Sequence, residues 1–137
     1  MIHIFDGAMG TMLQAGGLPA GACPEAANLQ YPEIVKAVHS AYLAAGANII
    51  ETNTFGGSRL KLAHYNLSDD VLKINTAAVH IAREAVGNRA EIAGSIGPTG
   101  QFVHPLGSLG FEEAYDAYFE QAAALAAAGA DYIICET

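Results

Sequence analysis

Hydrophobic and polar positions repeat three times along the chain, at an interval of about forty residues. In each repeat a helical pattern ends at a glycine and a short apolar run follows. The glycines are Gly46, Gly87 and Gly129. Glycine is typical of this position, because the residue after a helix often takes a left-handed conformation. One strand, one helix and two loops fill such a period, so the pattern predicts repeated βα units with parallel strands.

Four short apolar runs predict the strands of this sheet. They cover residues 2–5, 48–53, 92–96 and 132–135. Each run is too short for a helix of ordinary length and is followed by polar residues or glycine. The last run is predicted to be a buried strand that ends on the carboxylate Glu136.

Three long amphipathic helices are predicted between the strands. The first begins at Pro32, since the first helical position tolerates a missing N–H. Ser68 is expected to cap the second helix, and the third covers residues 111–128. Shorter helices are predicted at residues 12–14 and 58–64. The residues expected on the inward face of the third helix are Phe111, Ala114, Tyr115, Tyr118, Ala122 and Leu125.

Composition indicates one folded domain. The chain has 137 residues, of which 52% are hydrophobic and 15% charged, so it can bury a sizeable core. Its formal net charge of −8 argues against nucleic acid and anionic membranes as partners. No apolar run approaches the roughly 20 residues of a membrane span, and the first residues become polar too soon for a signal peptide. Since Cys23 and Cys135 lie far apart, a disulfide scaffold is not expected. We therefore expect a cytoplasmic protein.

The extent of the sheet leaves two architectures open. Four strands with three and a half βα units are too few to close an eight-stranded barrel. The pattern fits half of such a barrel, with the rest supplied elsewhere. It also fits a small open α/β sheet.

Candidate chemistry lies at the predicted carboxyl ends of the strands, where parallel α/β folds place their sites. Asp6 and Glu136, which end the first and fourth strands, could hold an ammonium group between them. The alternative is that Asp6 caps a helix and that Glu136 is in solvent. The residues predicted to form the site are Asp6, Gly7, Thr52, Asn53, Thr54, Phe55, Ser95 and Glu136.

Other motifs are weaker. The glycine-rich residues 94–100 suggest a phosphate loop, but they lack the lysine of a P-loop, and a close-packed turn is favoured. The histidines have no zinc-ligand spacing. His39 is expected at the surface or its boundary, and Cys135 is expected to be a small buried residue rather than a nucleophile. The residues alone predict no metal site.

Several ordered blocks resemble the homocysteine S-methyltransferase family. They are residues 6–11 (DGAMGT), 28–29 (NL), 51–56 (ETNTFG), 97–100 (GPTG), 105–108 (PLGS) and 136–137 (ET). The TNTFG block is most similar to the homocysteine-binding barrel of the cobalamin-dependent methionine synthase branch.

The resemblance implies a (βα)8 TIM barrel that binds homocysteine near the carboxyl ends of its strands. Residues 1–137 would form its N-terminal half, the first three to four βα units, with the C-terminal half absent. Asp6 and Glu136 occupy positions that hold the amino acid in the family, while Gly7 and residues 52–55 would shape the pocket.

The family also implies cofactors. Three cysteines bind zinc, which lowers the pKa of the homocysteine thiol, and they belong to a half that this chain lacks. Methylcobalamin, recharged by methyltetrahydrofolate, gives its methyl group to the sulfur. The expected partners are homocysteine, the rest of the barrel, and cobalamin and folate modules. We expect no catalytic residue or metal ligand in this chain, which alone should be inactive. The alternative is a non-catalytic half-barrel that binds a small amino acid or pairs with another chain.

Overall fold

In the part of the chain that the structure describes, three parallel strands form one sheet and lie side by side in chain order. A computed structural model describes residues 2–137. The strands are β1 (Ile49–Glu51), β2 (Glu91–Ile96) and β3 (Tyr132–Cys135). Ile50 pairs with Ile92, and Ser95 with Ile134, so the strands end at a common edge. The predicted parallel α/β arrangement is confirmed for these three strands.

The predicted first strand, residues 2–5, is reduced to one parallel bridge between Phe5 and Ile49. The segment still runs beside β1, because the Ile4 carbonyl oxygen accepts from the Ile49 backbone N–H at 3.1 Å. The Ile4 N–H donates instead to the side-chain oxygen of Asn48 at 2.7 Å, which interrupts the ladder. Asp6, whose N–H donates to the Ile49 carbonyl oxygen, therefore sits next to the end of β1.

Within residues 2–137, six α-helices accompany the sheet. They are α1 (Gly10–Ala15), α2 (Ala27–Gln30), α3 (Pro32–Ala45), α4 (Arg59–Leu62), α5 (Val71–Val86) and α6 (Phe111–Ala128). Two 3₁₀ turns, Ala63–Tyr65 and Ser68–Asp70, join α4 to α5. The predicted start of α3 at Pro32 is confirmed, as are the glycine ends at Gly46 (φ 107°) and Gly129 (φ 98°).

The predicted cap at Ser68 is wrong. Ser68 begins a 3₁₀ turn and α5 starts at Val71, with no side-chain cap bond at Asp70. Ser58 caps a helix instead, since its hydroxyl accepts from the Lys61 N–H at 3.3 Å.

The core lies where α5 packs against the sheet. Ile50 and Ile92 are fully buried beside Val86 of α5. Farther along, Ile96 and Leu125 pack with Val79. Burying one such side chain is worth about 1.5–3 kcal/mol, so α5 fixes the strands and hence their ends.

The predicted burial of five residues is wrong. Phe111 and Tyr115 of α6 are 70% and 55% exposed, because Ala114, Ala117, Gln121 and Leu125 form the buried face instead. In β3, Tyr132 and Cys135 are exposed, since within residues 2–137 this strand pairs only with β2. His39, expected near the surface, is fully buried. Among the helices that the structure describes, none is long and apolar enough to cross a membrane.

Candidate functional site

A cleft of about 420 Å³ opens at the carboxyl ends of the strands. All eight residues predicted for the site line it: Asp6, Gly7, Thr52, Asn53, Thr54, Phe55, Ser95 and Glu136. The parallel register brings them together, because the N-terminal segment, β1, β2 and β3 all end here. The strand-end residues Gly97, Pro98 and Thr137 line a neighbouring pocket, which shares Glu136.

Asp6 is oriented by the backbone of β1. Its two carboxylate oxygens both lie 3.2 Å from the Glu51 nitrogen, whose N–H donates to them. Burial raises the pKa of Asp6 to about 6; backbone N–H bonds oppose this rise and the nearby charge of Glu136 adds to it. Asp6 is not a helix cap, since α1 begins at Gly10 with Met9 at its N-cap.

Glu51 is a third carboxylate of the cleft, and the sequence reasoning missed it. Burial raises its pKa to about 7, assisted by the charge and hydrogen bond of Glu136 and by the charge of Asp6. A signal was present in the repeat, because Glu-Thr follows the apolar run both at residues 51–52 and at residues 136–137. A carboxyl group with a raised pKa keeps its proton to higher pH, so Glu51 can act as a hydrogen-bond donor in the cleft.

Glu136 is held by Ser95 from the neighbouring strand. The Ser95 hydroxyl donates to Glu136 Oε1 at 2.5 Å, and the Glu136 N–H donates to the Ile96 carbonyl oxygen at 3.0 Å. Ser95 is only 2% exposed, so its hydroxyl has little access to water. The side chain of Glu136 therefore has a fixed direction at the cleft and is not free in solvent.

Two threonine hydroxyls connect β1 with β2. Thr54 Oγ1 donates to the Ser95 carbonyl oxygen at 2.7 Å. Its single hydrogen is used there, so the 2.6 Å contact with Thr52 Oγ1 has Thr52 as donor. Thr52 Oγ1 in turn accepts from the Ser95 N–H at 3.2 Å. These buried hydroxyls are fully paired within the protein and fix the distance between the two strand ends.

The loop after β1 is also held from the side of α2. Asn53 Nδ2 donates to the Pro24 carbonyl oxygen at 2.7 Å, and Asn28 Nδ2 donates to the Asn53 carbonyl oxygen at 2.8 Å. Glu25 Oε1 accepts from the Gly56 N–H at 2.7 Å. Glu25 lines the cleft and was missed, because it lies in an irregular loop that no periodicity marks.

Close packing explains two glycines of the proposed phosphate loop. A side chain at Gly97 would come within 2.6 Å of the Phe55 carbonyl oxygen and 2.7 Å of its ring. The Gly97 N–H donates to that same oxygen at 2.9 Å. A side chain at Gly94 would approach Leu125 to 3.0 Å. These contacts agree with the favoured interpretation of residues 94–100 as a close-packed segment.

The charge of the cleft suits a cation. Its described lining includes the carboxyl groups of Asp6, Glu25, Glu51 and Glu136, and no lysine, arginine or histidine. Carboxylates that converge without a basic partner repel one another, and a bound ammonium group would relieve that repulsion. The cleft is therefore suited to the amino group of a small molecule.

A zinc ion does not fit the described residues. Within residues 2–137 no group of three or more histidine, cysteine or acidic side chains is placed to hold a metal. Cys23 is buried and donates to Glu25, and burial raises the pKa of its thiol to about 11, which disfavours a thiolate ligand. Cys135 lines the neighbouring pocket instead of the cleft.

A family model described as homocysteine S-methyltransferase matches residues 3–137. The chain belongs to this family. It is 33% identical to the methionine synthase of Mycobacterium tuberculosis (strain ATCC 25618 / H37Rv), over 99% of this chain and 12% of the relative. It is 32% identical to that of Mycobacterium leprae (strain TN), with the same coverage. The chain thus spans about an eighth of the curated relatives that it matches.

Solved structures of the Escherichia coli homocysteine methyltransferase MmuM share the fold. The metallated form matches with a TM-score of 0.85 and 26% identity, over 98% of this chain and 53% of that one. The apo form matches with a TM-score of 0.68 and 29% identity, over 99% of this chain and 49% of that one. The small parallel sheet and its helices are therefore similar to about half of a homocysteine methyltransferase.

Proposed function

We propose that this chain supplies the amino-acid-binding part of a homocysteine methyltransferase of the methionine synthase type. The observation that carries the proposal is the convergence of Asp6, Glu51 and Glu136 in a cleft whose described lining has no basic side chain. Family membership indicates homocysteine as the ligand, because the carboxylates alone could bind the ammonium group of many amines.

Homocysteine would place its ammonium group between Asp6 and Glu136. Ser95 fixes one carboxylate and the backbone of Glu51 fixes the other, so both are preorganised for a cation. Charge-assisted hydrogen bonds of this kind are about twice as strong as neutral ones. Gly7, Asn53 and Phe55 would shape the rest of the pocket, together with Thr52 and Thr54.

We further propose that residues 1–137 form the N-terminal half, the first three to four βα units, of a (βα)8 barrel. The coverage of about half of MmuM supports this, as does the exposure of β3, where Tyr132 and Ile133 are 45% and 40% exposed. In this proposal the zinc ligands, methylcobalamin and methyltetrahydrofolate belong to other parts of a cytoplasmic enzyme. The chain alone would bind the amino acid without transferring a methyl group.

The exposed strand β3 also supports a second candidate, a non-catalytic half-barrel that pairs with another chain. An unpaired apolar edge is a template for association. Methyl transfer to homocysteine by the complete gene product would exclude this candidate, whereas amino-acid binding or pairing without turnover would favour it.

The proposal is tested by calorimetric titration of the complete gene product with L-homocysteine and with N-acetyl-L-homocysteine. The acetylated compound keeps the thiol and the carboxylate but carries no positive charge. We expect binding of homocysteine only. Equal affinity for the two compounds would mean that the ammonium group does not contribute to binding, which would contradict the proposal.

A further inference from the structure

Two buried amide side chains hold the loop after β1 from outside the cleft. Asn75 of α5 and Gln121 of α6 are fully buried, and we call them the amide pair. Gln121 Nε2 donates to the Thr54 carbonyl oxygen at 2.8 Å and to Asn75 Oδ1 at 3.2 Å. Asn75 Nδ2 donates to the Gly57 carbonyl oxygen at 2.9 Å. The amide pair thus fixes residues 54 and 57, the two ends of one tight turn.

Thr54 connects the amide pair to the cleft. Gln121 holds its carbonyl oxygen, while its hydroxyl bonds to the Ser95 carbonyl oxygen and to Thr52. The Ser95 hydroxyl then donates to Glu136. An unbroken set of hydrogen bonds and short backbone links therefore runs from α6 to the carboxylate at the end of β3.

Only the Nε2 end of the Gln121 amide forms hydrogen bonds within the described part of the fold. Gln121 Oε1 is buried and has no hydrogen-bond partner among the described residues. Burying an unpaired amide oxygen is unfavourable, so this end of the side chain offsets part of the stability that the two Nε2 hydrogen bonds provide. The space is nevertheless shaped for the amide pair, because a side chain at Gly57 would come within 2.8 Å of both Asn75 and Gln121.

We propose that Asn75 and Gln121 are positioning residues of the amino-acid site. They do not line the cleft, and they act by holding Thr54 so that Thr52, Ser95 and Glu136 keep their alignment. This inference rests on the proposed function for its ligand. The network itself is present without a ligand and can be tested without one.

The first test is Gln121→Met in the complete gene product, with the exposed Gln30→Met as matched control. Methionine keeps the length of the side chain and removes the donor to Thr54. The melting temperature should fall, because the buried Asn75 Oδ1 loses its donor. The Kd for homocysteine should rise about tenfold, as for other residues that orient a ligand-binding group. Gln30→Met should change neither quantity. A folded Gln121→Met protein with unchanged Kd would overturn the inference.

A second measurement needs no variant. The side-chain amide resonances of Asn75 and Gln121 in the wild-type protein should shift when homocysteine is added, while those of the exposed Gln30 should not. If the amide pair only fills the core, its resonances will stay where they are, and the inference fails.

A third measurement separates this inference from the proposed function. If the wild-type protein does not bind homocysteine, the proposed function fails. Amide hydrogen exchange in the ligand-free protein still tests the amide pair, because the Gly57 N–H donates to the Thr54 carbonyl oxygen at 2.9 Å. Exchange at residues 54–57 should be faster in Gln121→Met than in Gln30→Met. Equal rates would overturn the positioning role.

Discussion

The Ser95 hydroxyl donates a 2.5 Å hydrogen bond to Glu136 Oε1 and so joins the ends of β2 and β3. Ser95 is buried and Glu136 faces the cleft, so the fold sets the direction of the carboxylate before any ligand arrives. Such preorganisation lowers the cost of binding an ammonium group, because fewer rotamers must be frozen.

Removing this hydroxyl should weaken binding more than stability. In Ser95→Ala the carboxylate of Glu136 loses a charge-assisted bond and its fixed direction. We expect homocysteine binding to weaken by about 1–2 kcal/mol and the free energy of unfolding to fall by about 1 kcal/mol. Calorimetry and thermal melting measure the two effects, with the exposed Ser40→Ala on α3 as control. Unchanged affinity in Ser95→Ala would mean that Glu136 does not depend on Ser95.

Homocysteine affinity should rise with pH between about pH 6 and pH 7. The pKa of Asp6 is raised to about 6 and that of Glu51 to about 7, chiefly by burial, and an ammonium group binds their ionised forms. Binding at pH 6 should therefore release protons. Titrations in two buffers of different ionisation enthalpy count these protons. Fewer protons should be released when homocysteine binds to Glu51→Gln than when it binds to the wild type. An equal number would show that binding does not change the protonation of Glu51.

The carboxyl group of Glu51 should make the ligand-free protein less stable as pH rises. Because its folded-state pKa is raised above the unfolded value of 4.5 to about 7, Glu51 stabilises the fold below about pH 4.5, and this contribution is lost as pH rises through 7. The melting temperature of Glu51→Gln minus that of the wild type should therefore increase from pH 4.5 to pH 8. A constant difference across that range would contradict the raised pKa.

His39 should have the opposite pH dependence. It is fully buried, neither ring nitrogen has a partner among the described residues, and burial lowers its pKa to about 4. Its contribution to stability is present above the unfolded value of 6.5 and is lost as pH falls toward 4. This loss should reach about 2–4 kcal/mol. Denaturant unfolding of wild type and His39→Leu across this range measures it; parallel curves would mean that the imidazole is accessible.

Local rules predicted the elements that depend on local chemistry. Pro32 and Gly46 bound α3, and Gly129 ends α6, because the conformations of proline and glycine are set by their own structures. The convergence of the eight residues predicted for the site was predictable for a related reason. Parallel strands end at one edge, so polar residues after each apolar run must meet there.

The features that the sequence did not predict depend on contacts between residues far apart in the chain. The first strand is interrupted because an Asn48 side chain takes the Ile4 N–H, and no pattern within residues 2–5 encodes this. His39 was expected at the surface or its boundary, yet α3 buries it in the core. Glu25 reaches the cleft from an irregular loop through its bond to Gly56, which only the folded chain brings near.

The most direct test of ammonium recognition is the Kd for homocysteine of Glu136→Gln beside that of the exposed Glu112→Gln in α6. Glutamine keeps the size of the side chain and removes the negative charge. We predict that Glu136→Gln weakens binding by roughly 1.5–3 kcal/mol, the range for a hydrogen bond to a charged group, and that Glu112→Gln leaves it unchanged. If a folded Glu136→Gln protein binds homocysteine as tightly as the wild type, Glu136 does not hold the amino acid.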